Sequence, residues 1–156
     1  MRRHATTLGM QRWPWKGPRV LIEDPDSARG LATATVLRRA GYAVALCPGP
    51  SEFRDPPERC SLLDSEDCLI VEGADAVVFR LGLDRTEGRR VLSALRLRRP
   101  GTPLVVEVPG LEVDRYRAEL GGCELVCSAA SPEELVGAVD RAVAKRRPLG
   151  REAGFG

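Results

Sequence analysis

Short apolar runs alternate along this chain with segments in which apolar residues recur at every third or fourth position. The runs contain four or five residues and consist mainly of Val, Leu, Ile and Ala. A short run that is apolar throughout is typical of a strand that is covered on both faces of a parallel sheet. We therefore predict strands at residues 19–22, 43–47, 104–108 and 123–127, and a further strand that begins at Asp75.

Helical signals lie between these runs. Leu31, Ala34 and Leu37 share one face of a predicted helix that ends before Gly41. Further helices are predicted from Gly88 to near Arg99, over residues 111–120, and after the capping sequence Ser-Pro-Glu-Glu at residues 131–134. Strands that alternate with helices in this way predict an α/β fold in which a doubly wound, five-stranded parallel sheet carries helices on both faces.

The segment between the second and third strands departs from this alternation. Prolines at positions 48, 50, 56 and 57 make residues 48–59 a predicted loop. A cysteine-containing stretch follows, and it leaves room for only a short helical piece that ends at Gly73. We expect a loop rich in cysteine and proline in place of a full second helix.

Composition and charge limit the classes of function that the sequence supports. The 156 residues are 43% hydrophobic and carry a net charge of +2, which fits one globular domain and gives no reason to expect direct nucleic-acid binding. We predict a domain at residues 19–147 between flexible basic tails at residues 1–18 and 148–156. No apolar stretch predicts a signal peptide or membrane span, so a cytoplasmic location is expected. His4 is the single histidine, and no motif indicates an enzyme.

Four local patterns resemble the receiver domain of response regulators. They are the helix-to-strand joint at residues 38–44, the strand, loop and helix start at residues 75–95, the strand entry at residues 100–106, and the helix start at residues 131–135. The resemblance covers roughly residues 19–146. It implies the flavodoxin-like topology of that family and a place in two-component signal transduction.

The same resemblance implies a degenerate phosphorylation pocket. Receivers use acids after the first strand to hold magnesium, an acceptor aspartate after the third, a hydroxyl after the fourth and a lysine after the fifth. By register, the acceptor position is Arg80, the hydroxyl position Val108 and the lysine position Ser128. The first-loop acids are either Glu23 with Asp24 or Asp24 with Asp26. The chain is therefore similar to a pseudo-receiver that lacks the phosphoacceptor.

Two roles are open for the arginine in this pocket. A guanidinium among carboxylates replaces their repulsion with charge-assisted hydrogen bonds, so Arg80 would lock one conformation beside Glu23, Asp24 and Glu107. The alternative is an arginine that binds an anionic ligand such as a nucleotide.

The cysteines leave two further hypotheses. Cys47, Cys60 and Cys68 could converge near the loop as a metal or redox site, although Cys60 and Cys68 are too far apart in sequence for a zinc knuckle. Three reduced thiols are the simpler expectation, and no cofactor is predicted. Cys123 and Cys127 would lie on one face of the fifth strand as small buried apolar residues.

Protein–protein interaction is the function that these observations favour. The resemblance implies a partner or homodimer face built from the fourth helix, fifth strand and fifth helix. The residues predicted to line this face are Arg115, Tyr116, Glu124, Arg141 and Lys145. A small-ligand, metal or redox sensor that uses the cysteine loop is the first alternative, and a degenerate assembly subunit is the second.

Overall fold

The computed structural model describes residues 17–51, 59–128 and 130–146. The predicted tails therefore lie outside the described residues, apart from positions 17 and 18 of the first. No helix in the described ranges is long and apolar enough to cross a membrane. The strands are β1 (Arg19–Glu23), β2 (Ala43–Cys47), β3 (Ala76–Phe79), β4 (Leu104–Val108) and β5 (Glu124–Cys127). The α-helices are α1 (Ser27–Arg39), α2 (Leu69–Gly73), α3 (Thr86–Arg98), α4 (Arg117–Leu120) and α5 (Pro132–Lys145).

All five strands are parallel and form one sheet in the order β2-β1-β3-β4-β5. The predicted five-stranded, doubly wound α/β architecture is confirmed. The first two strands after β1 add to opposite sides of it, so β1 and β3 lie near the centre and β2 and β5 are the edges. Sites in such sheets form where the carboxyl ends of the central strands meet.

Strand alternation divides the core into two layers. Leu21 points into one layer, and its neighbours Val20 and Ile22 point into the other. The layer that contains Leu21 is closed mainly by α3, with small contributions from α2 and α4. The opposite layer is closed by α1 and α5, which supply Ala34 and Val139 among others. Both layers are built mostly from aliphatic side chains, as the low aromatic content predicts.

The first helix begins at an Asp26 cap, whose carboxylate accepts a hydrogen bond from the Arg29 amide at 3.1 Å. Its buried face carries Gly30, Thr33, Ala34 and Leu37. The predicted burial of Leu31 is wrong, because that residue lies one helical step away from this face and its side chain is exposed.

The segment before β3 contains the short helix that the sequence predicts. After a turn in which the Leu63 amide donates to the Cys60 carbonyl at 3.0 Å, α2 spans only five residues. Leu62 and Val71 anchor this stretch because both are buried in the same layer as Leu21. The proline-rich part at residues 52–58 lies outside the described residues.

A similar shortening affects the segment between β4 and β5. The predicted helix over residues 111–120 is wrong in extent: a 3₁₀ turn occupies Gly110–Glu112, and α4 spans only four residues. The guanidinium of Arg96 binds the end of α4, donating to the carbonyls of Ala118 at 3.3 Å and Gly121 at 2.6 Å and also to that of Glu119. A helix this short leaves part of β5 uncovered, and Leu125 is 40% exposed.

Gly88 shows why the loop after β3 requires a glycine. It lies in the first turn of α3, and a Cβ at this position would be 1.9 Å from the carbonyl oxygen of Gly82. No side chain fits such an approach, so the glycine permits α3 to begin directly against the loop that follows Arg80.

Candidate functional site

Three charged residues meet where the central strands end. Asp24 directly follows β1, Arg80 directly follows β3, and Glu107 is the penultimate residue of β4. Because β3 lies between β1 and β4, the backbone places Arg80 between the two carboxylates. This is the edge of the sheet at which open α/β folds form their binding sites.

Arg80 is bound on several sides and is almost completely buried. Its Nε donates to Glu107 Oε2 at 2.7 Å, and its Nη1 lies 3.5 Å from Asp24 Oδ2. The same Nη1 donates to the Thr33 hydroxyl of α1 at 2.5 Å. Only 9% of the Arg80 side chain is exposed, so water screens these contacts weakly. The geometry supports the charge-neutralising role rather than a guanidinium that faces an open cleft.

Asp24 is saturated by a second arginine. Arg29 donates from Nε to Oδ2 at 2.7 Å and from Nη2 to Oδ1 at 2.8 Å, which is the bidentate geometry of a strong arginine–carboxylate pair. The Asp26 amide adds a third hydrogen bond to Oδ1 at 2.8 Å. The hydrogen bond to Asp24 raises the pKa of Arg29 further. Two guanidinium groups therefore balance two carboxylates, and the cluster has no formal net charge.

Sequence reasoning missed Arg29 and Thr33 as members of this cluster. Both lie on α1, four residues apart, and thus on the same helix face as each other. Their spacing, on a helix that starts just after Asp24, places both side chains on one face. The sequence does not show that this face points toward the end of β3.

The other predicted pocket residues lie elsewhere. Asp26 caps α1, Val108 is buried in the core layer that contains Leu21, and Ser128 is exposed beyond the end of β5. The expectation that Glu23 joins the arginine is wrong. In β1 the Glu23 side chain alternates onto the Leu21 face, whereas Asp24 leaves the strand at the turn and reaches the arginines.

Glu23 is instead a buried acid on the opposite side. It is 3% exposed, and its Oε2 has no hydrogen-bond partner among the residues that the structure describes. Burial raises the pKa of this carboxyl to about 7, because the charged form loses its hydration. Its surroundings include the thiols of Cys47, Cys60 and Cys68, each of which interacts electrostatically with it.

These three thiols are partly buried and pack against the same core layer. Nearby backbone amides lower the pKa of each thiol, but less than burial raises it. The pKa of all three is therefore raised, that of Cys47 to about 12. In the described parts of the chain no three His, Cys, Asp or Glu side chains are arranged to hold a metal ion.

The two remaining cysteines differ from each other. Cys123 is half-buried against the core, and burial raises its pKa, but Cys127 is exposed. The expected burial of Cys127 is wrong because the short α4 does not extend over that end of β5.

Of the residues predicted for the interaction face, Arg115, Arg141 and Lys145 are exposed and Glu124 is half-buried. Glu124 on β5 bonds to Lys145 and lies 3.4 Å from Arg141, and the hydrogen bond from Lys145 lowers its pKa. Tyr116 is only 4% exposed, so its predicted place on the surface is wrong. Its ring packs into the core below α4, and the Arg115 guanidinium lies over it at 5.4 Å.

The fold is that of response-regulator receiver domains. A Francisella receiver domain superposes with a TM-score of 0.62 at 18% identity, covering 84% of this chain and all of that one (100%). A CheY-like receiver protein of Methanospirillum hungatei gives 0.61 at 19% identity, covering 85% of this chain and 98% of that one. A Clostridium thermocellum receiver domain gives 0.61 at 15% identity, over 82% and 95% of the two chains. At these identities the likeness establishes the fold alone.

Sequence comparison leads in a different direction. Cytoplasmic tRNA 2-thiolation protein 1 of Chlamydomonas reinhardtii is 32% identical over 124 residues, which is 76% of this chain. The chain spans about 30% of the length of that curated relative. No model of a known protein family matches the chain.

The buried ion pairs predict a stability cost for losing Arg80. Arg80→Ala leaves Glu107 without its 2.7 Å partner, so we expect the free energy of unfolding to fall by about 1–3 kcal/mol, measured by urea denaturation. Arg85→Ala, at an exposed arginine before α3, is the control and should change it little. A double-mutant cycle with Glu107→Ala should give a favourable coupling energy between Arg80 and Glu107. Equal stability of Arg80→Ala and the parent would refute the ion-pair account.

The raised pKa of Glu23 predicts that the free energy of unfolding depends on pH. Its folded-state pKa lies above the unfolded value, so the folded chain retains a proton that the unfolded chain releases as pH rises from about 4.5 to about 7. Stability from this group is complete below pH 4.5 and is lost as pH rises through 7, by on the order of 3 kcal/mol.

The measurement is the free energy of unfolding across this pH range for the parent and for Glu23→Gln, which cannot ionise. The difference between the two profiles isolates Glu23 from the other titrating groups. We expect the free energy of unfolding of Glu23→Gln to increase relative to that of the parent as pH rises. Parallel profiles would show that the buried carboxyl does not titrate in this window.

Proposed function

We propose that this chain is a phosphorylation-independent, receiver-like regulatory protein that acts by binding another protein. The observation that carries the proposal is the Arg80 guanidinium, which lies at the end of β3 and pairs with Asp24 and Glu107. A receiver with an aspartate at that position collects negative charge there and needs a cation to accept a phosphoryl group. In this chain the guanidinium of Arg80 supplies that positive charge.

The neighbouring residues support the same proposal. Both oxygens of Asp24 already accept hydrogen bonds, from Arg29 and from the Asp26 amide. A magnesium ion requires carboxylate oxygens that face it without a competing cation, and this arrangement does not fit one. Val108 offers no hydroxyl at the end of β4, and Ser128 offers no amine beyond β5. In this proposal the receiver fold holds a protein-binding surface in one fixed conformation.

Phosphoryl donors test the first half of the proposal. Incubation with acetyl phosphate, or with beryllofluoride, in the presence of Mg²⁺ should leave both the intact mass and the backbone amide NMR spectrum unchanged. A receiver domain that carries the acceptor aspartate, treated in parallel, verifies the reagents. A phosphoryl adduct on Asp24, Asp26 or Glu107 would contradict phosphorylation independence.

The surface we assign to partner binding lies along the edge strand β5. On one side Leu125 is 40% exposed, and Leu111 on the neighbouring turn is fully exposed (100%). On the other side Arg141 and Lys145 of α5 surround Glu124. Apolar side chains beside an excess of basic groups fit a partner protein that presents an acidic rim and an apolar side chain of its own.

Two leucine variants test this surface. Leu125→Glu should abolish retention of the partner in a pull-down from the native cell, because it places a charge at the apolar contact. Leu97→Glu is the matched control, since Leu97 is 83% exposed on α3 and lies outside this surface. We expect the control to retain the same partner as the parent. Equal recovery with both variants would rule out the β5 surface, and dimerisation of the purified chain that Leu125→Glu abolishes would identify a second copy as the occupant.

The identity to a tRNA 2-thiolation protein suggests a second candidate function, which is participation in that modification. It rests on sequence over part of a longer protein. The same pull-down separates the candidates: loss of the captured partner on ribonuclease treatment would favour tRNA, whereas a ribonuclease-resistant partner favours the regulatory protein.

A further inference from the structure

The segment from residue 59 to residue 73, here named the strap, covers the end of the sheet where Glu23 is buried. It consists of the turn that begins at Cys60, an extended piece and α2. Leu62 and Val71 are buried in the core, and the partly buried Cys60, Leu63, Cys68 and Ile70 pack against it. Two of these side chains are buried, whereas a full amphipathic helix buries a continuous stripe.

The strap is also held from outside by the end of α3. Arg98 donates to the carbonyls of Glu66 at 2.6 Å and Ser65 at 3.0 Å, and Arg99 donates to that of Glu72 at 3.3 Å. A cleft of about 220 Å³ remains between the strap and these arginines. The seam is therefore bridged by polar contacts around a gap rather than closed by packing.

Beneath the strap, the described groups that face Glu23 cannot balance its charge. Among residues 17–51 and 59–128, the titratable groups that interact with it are the thiol of Cys47 from β2 and the thiols of Cys60 and Cys68 from the strap. Within the described ranges no ion pair reaches this carboxyl, and its Oε2 has no hydrogen-bond partner. Loss of its proton would place an uncompensated charge between the sheet and the strap, which is costly unless water enters.

We propose that the strap lifts from the sheet when Glu23 loses its proton. Lifting exposes the thiols of Cys47, Cys60 and Cys68, which pack against the core layer, to thiol-specific small molecules. The docked state requires the neutral carboxylic acid, whereas the lifted state hydrates the carboxylate. Opening therefore releases one proton, so its equilibrium constant rises by up to about tenfold per pH unit until the docked acid itself ionises. Relative to a surface thiol, these three thiols react slowly in acid and faster near and above neutral pH.

Cys127 and Cys123 provide controls within the same chain. Cys127 is exposed on β5 and reports the intrinsic reactivity of a thiol at each pH. Cys123 is half-buried below α4, away from the strap, and reports openings of the fold as a whole. The reactivity of Cys60 and Cys68 relative to these two isolates lifting of the strap.

The experiment labels the full chain with 4,4′-dithiodipyridine from about pH 5.5 to about pH 8 and quantifies each cysteine by peptide mass spectrometry. The thiolate attacks one sulfur of the reagent, forms a mixed disulfide and releases one thiopyridone. We expect the labelling rate of Cys60 and Cys68, divided by that of Cys127, to rise several-fold and level off near pH 7. The corresponding ratio for Cys123 should stay flat.

Two variants decide the origin of the effect. Glu23→Gln cannot ionise, so its ratio should not change with pH. Asp64→Asn removes an acid from the exposed surface of the strap and should behave like the parent. A flat ratio in the parent, or a Glu23→Gln profile that follows the parent, would overturn the proposal.

Should Glu23→Gln fail to fold, hydrogen exchange of the parent gives an independent answer. Amides of residues 60–73, corrected for intrinsic exchange, should lose protection between pH 5.5 and 7 relative to amides of β3. Equal changes in both segments would indicate opening of the whole fold and contradict a lifting strap.

Discussion

The ion pairs of Arg80 tie together the three structural elements that meet at the centre of the sheet. Its guanidinium joins Glu107 of β4 to Asp24 at the end of β1 and to Thr33 of α1. Without a cation, the two buried carboxylates would repel each other across the end of β3, and Arg29 alone would neutralise only one of them. The arginine thus satisfies an electrostatic constraint that the topology imposes, since parallel strands bring their carboxyl ends to one edge. It also fixes the position of α1 against that edge.

A second constraint separates two adjacent acids into different environments. Glu23 and Asp24 are neighbours in sequence, but strand alternation sends the first into the aliphatic layer below the strap and the turn after β1 sends the second to the arginines. Asp24 is saturated with hydrogen bonds, whereas Glu23 has a buried oxygen that no described residue pairs with. Asp24 is held by charge-assisted hydrogen bonds, whereas Glu23 destabilises the fold once it loses its proton.

Two short helices give the molecule its distinct surfaces. Where α2 spans five residues, the sheet is closed by the strap, whose Cys60 and Cys68 pack against the same core layer as Cys47 of β2. Where α4 spans four residues, Leu125 and Cys127 on the edge strand are left exposed. An edge strand that has lost its covering helix is a surface at which another chain can pack. Ion pairs occupy the place where the central strands end, and the exposed Leu125 and Cys127 lie on the edge strand β5.

The sequence by itself determined the elements and their order, because those depend on local periodicity, capping residues and the short aliphatic runs. The capping sequence at residues 131–134 predicted the start of α5, and the register of the run after Asp75 placed Arg80 at the end of β3. Both signals lie within a few residues of the feature that they specify. The proline and cysteine content after β2 likewise predicted that α2 would be short.

The tertiary structure decided which side chains meet. Whether Glu23 or Asp26 would join Asp24 depended on the face to which β1 turns each one, and the partnership of Arg29 and Thr33 with Arg80 depended on how α1 packs against β3. The burial of Tyr116 and the exposure of Cys127 followed from the length of α4, which Arg96 binds from a different helix. These outcomes rest on contacts between residues far apart in the chain, so no local pattern records them.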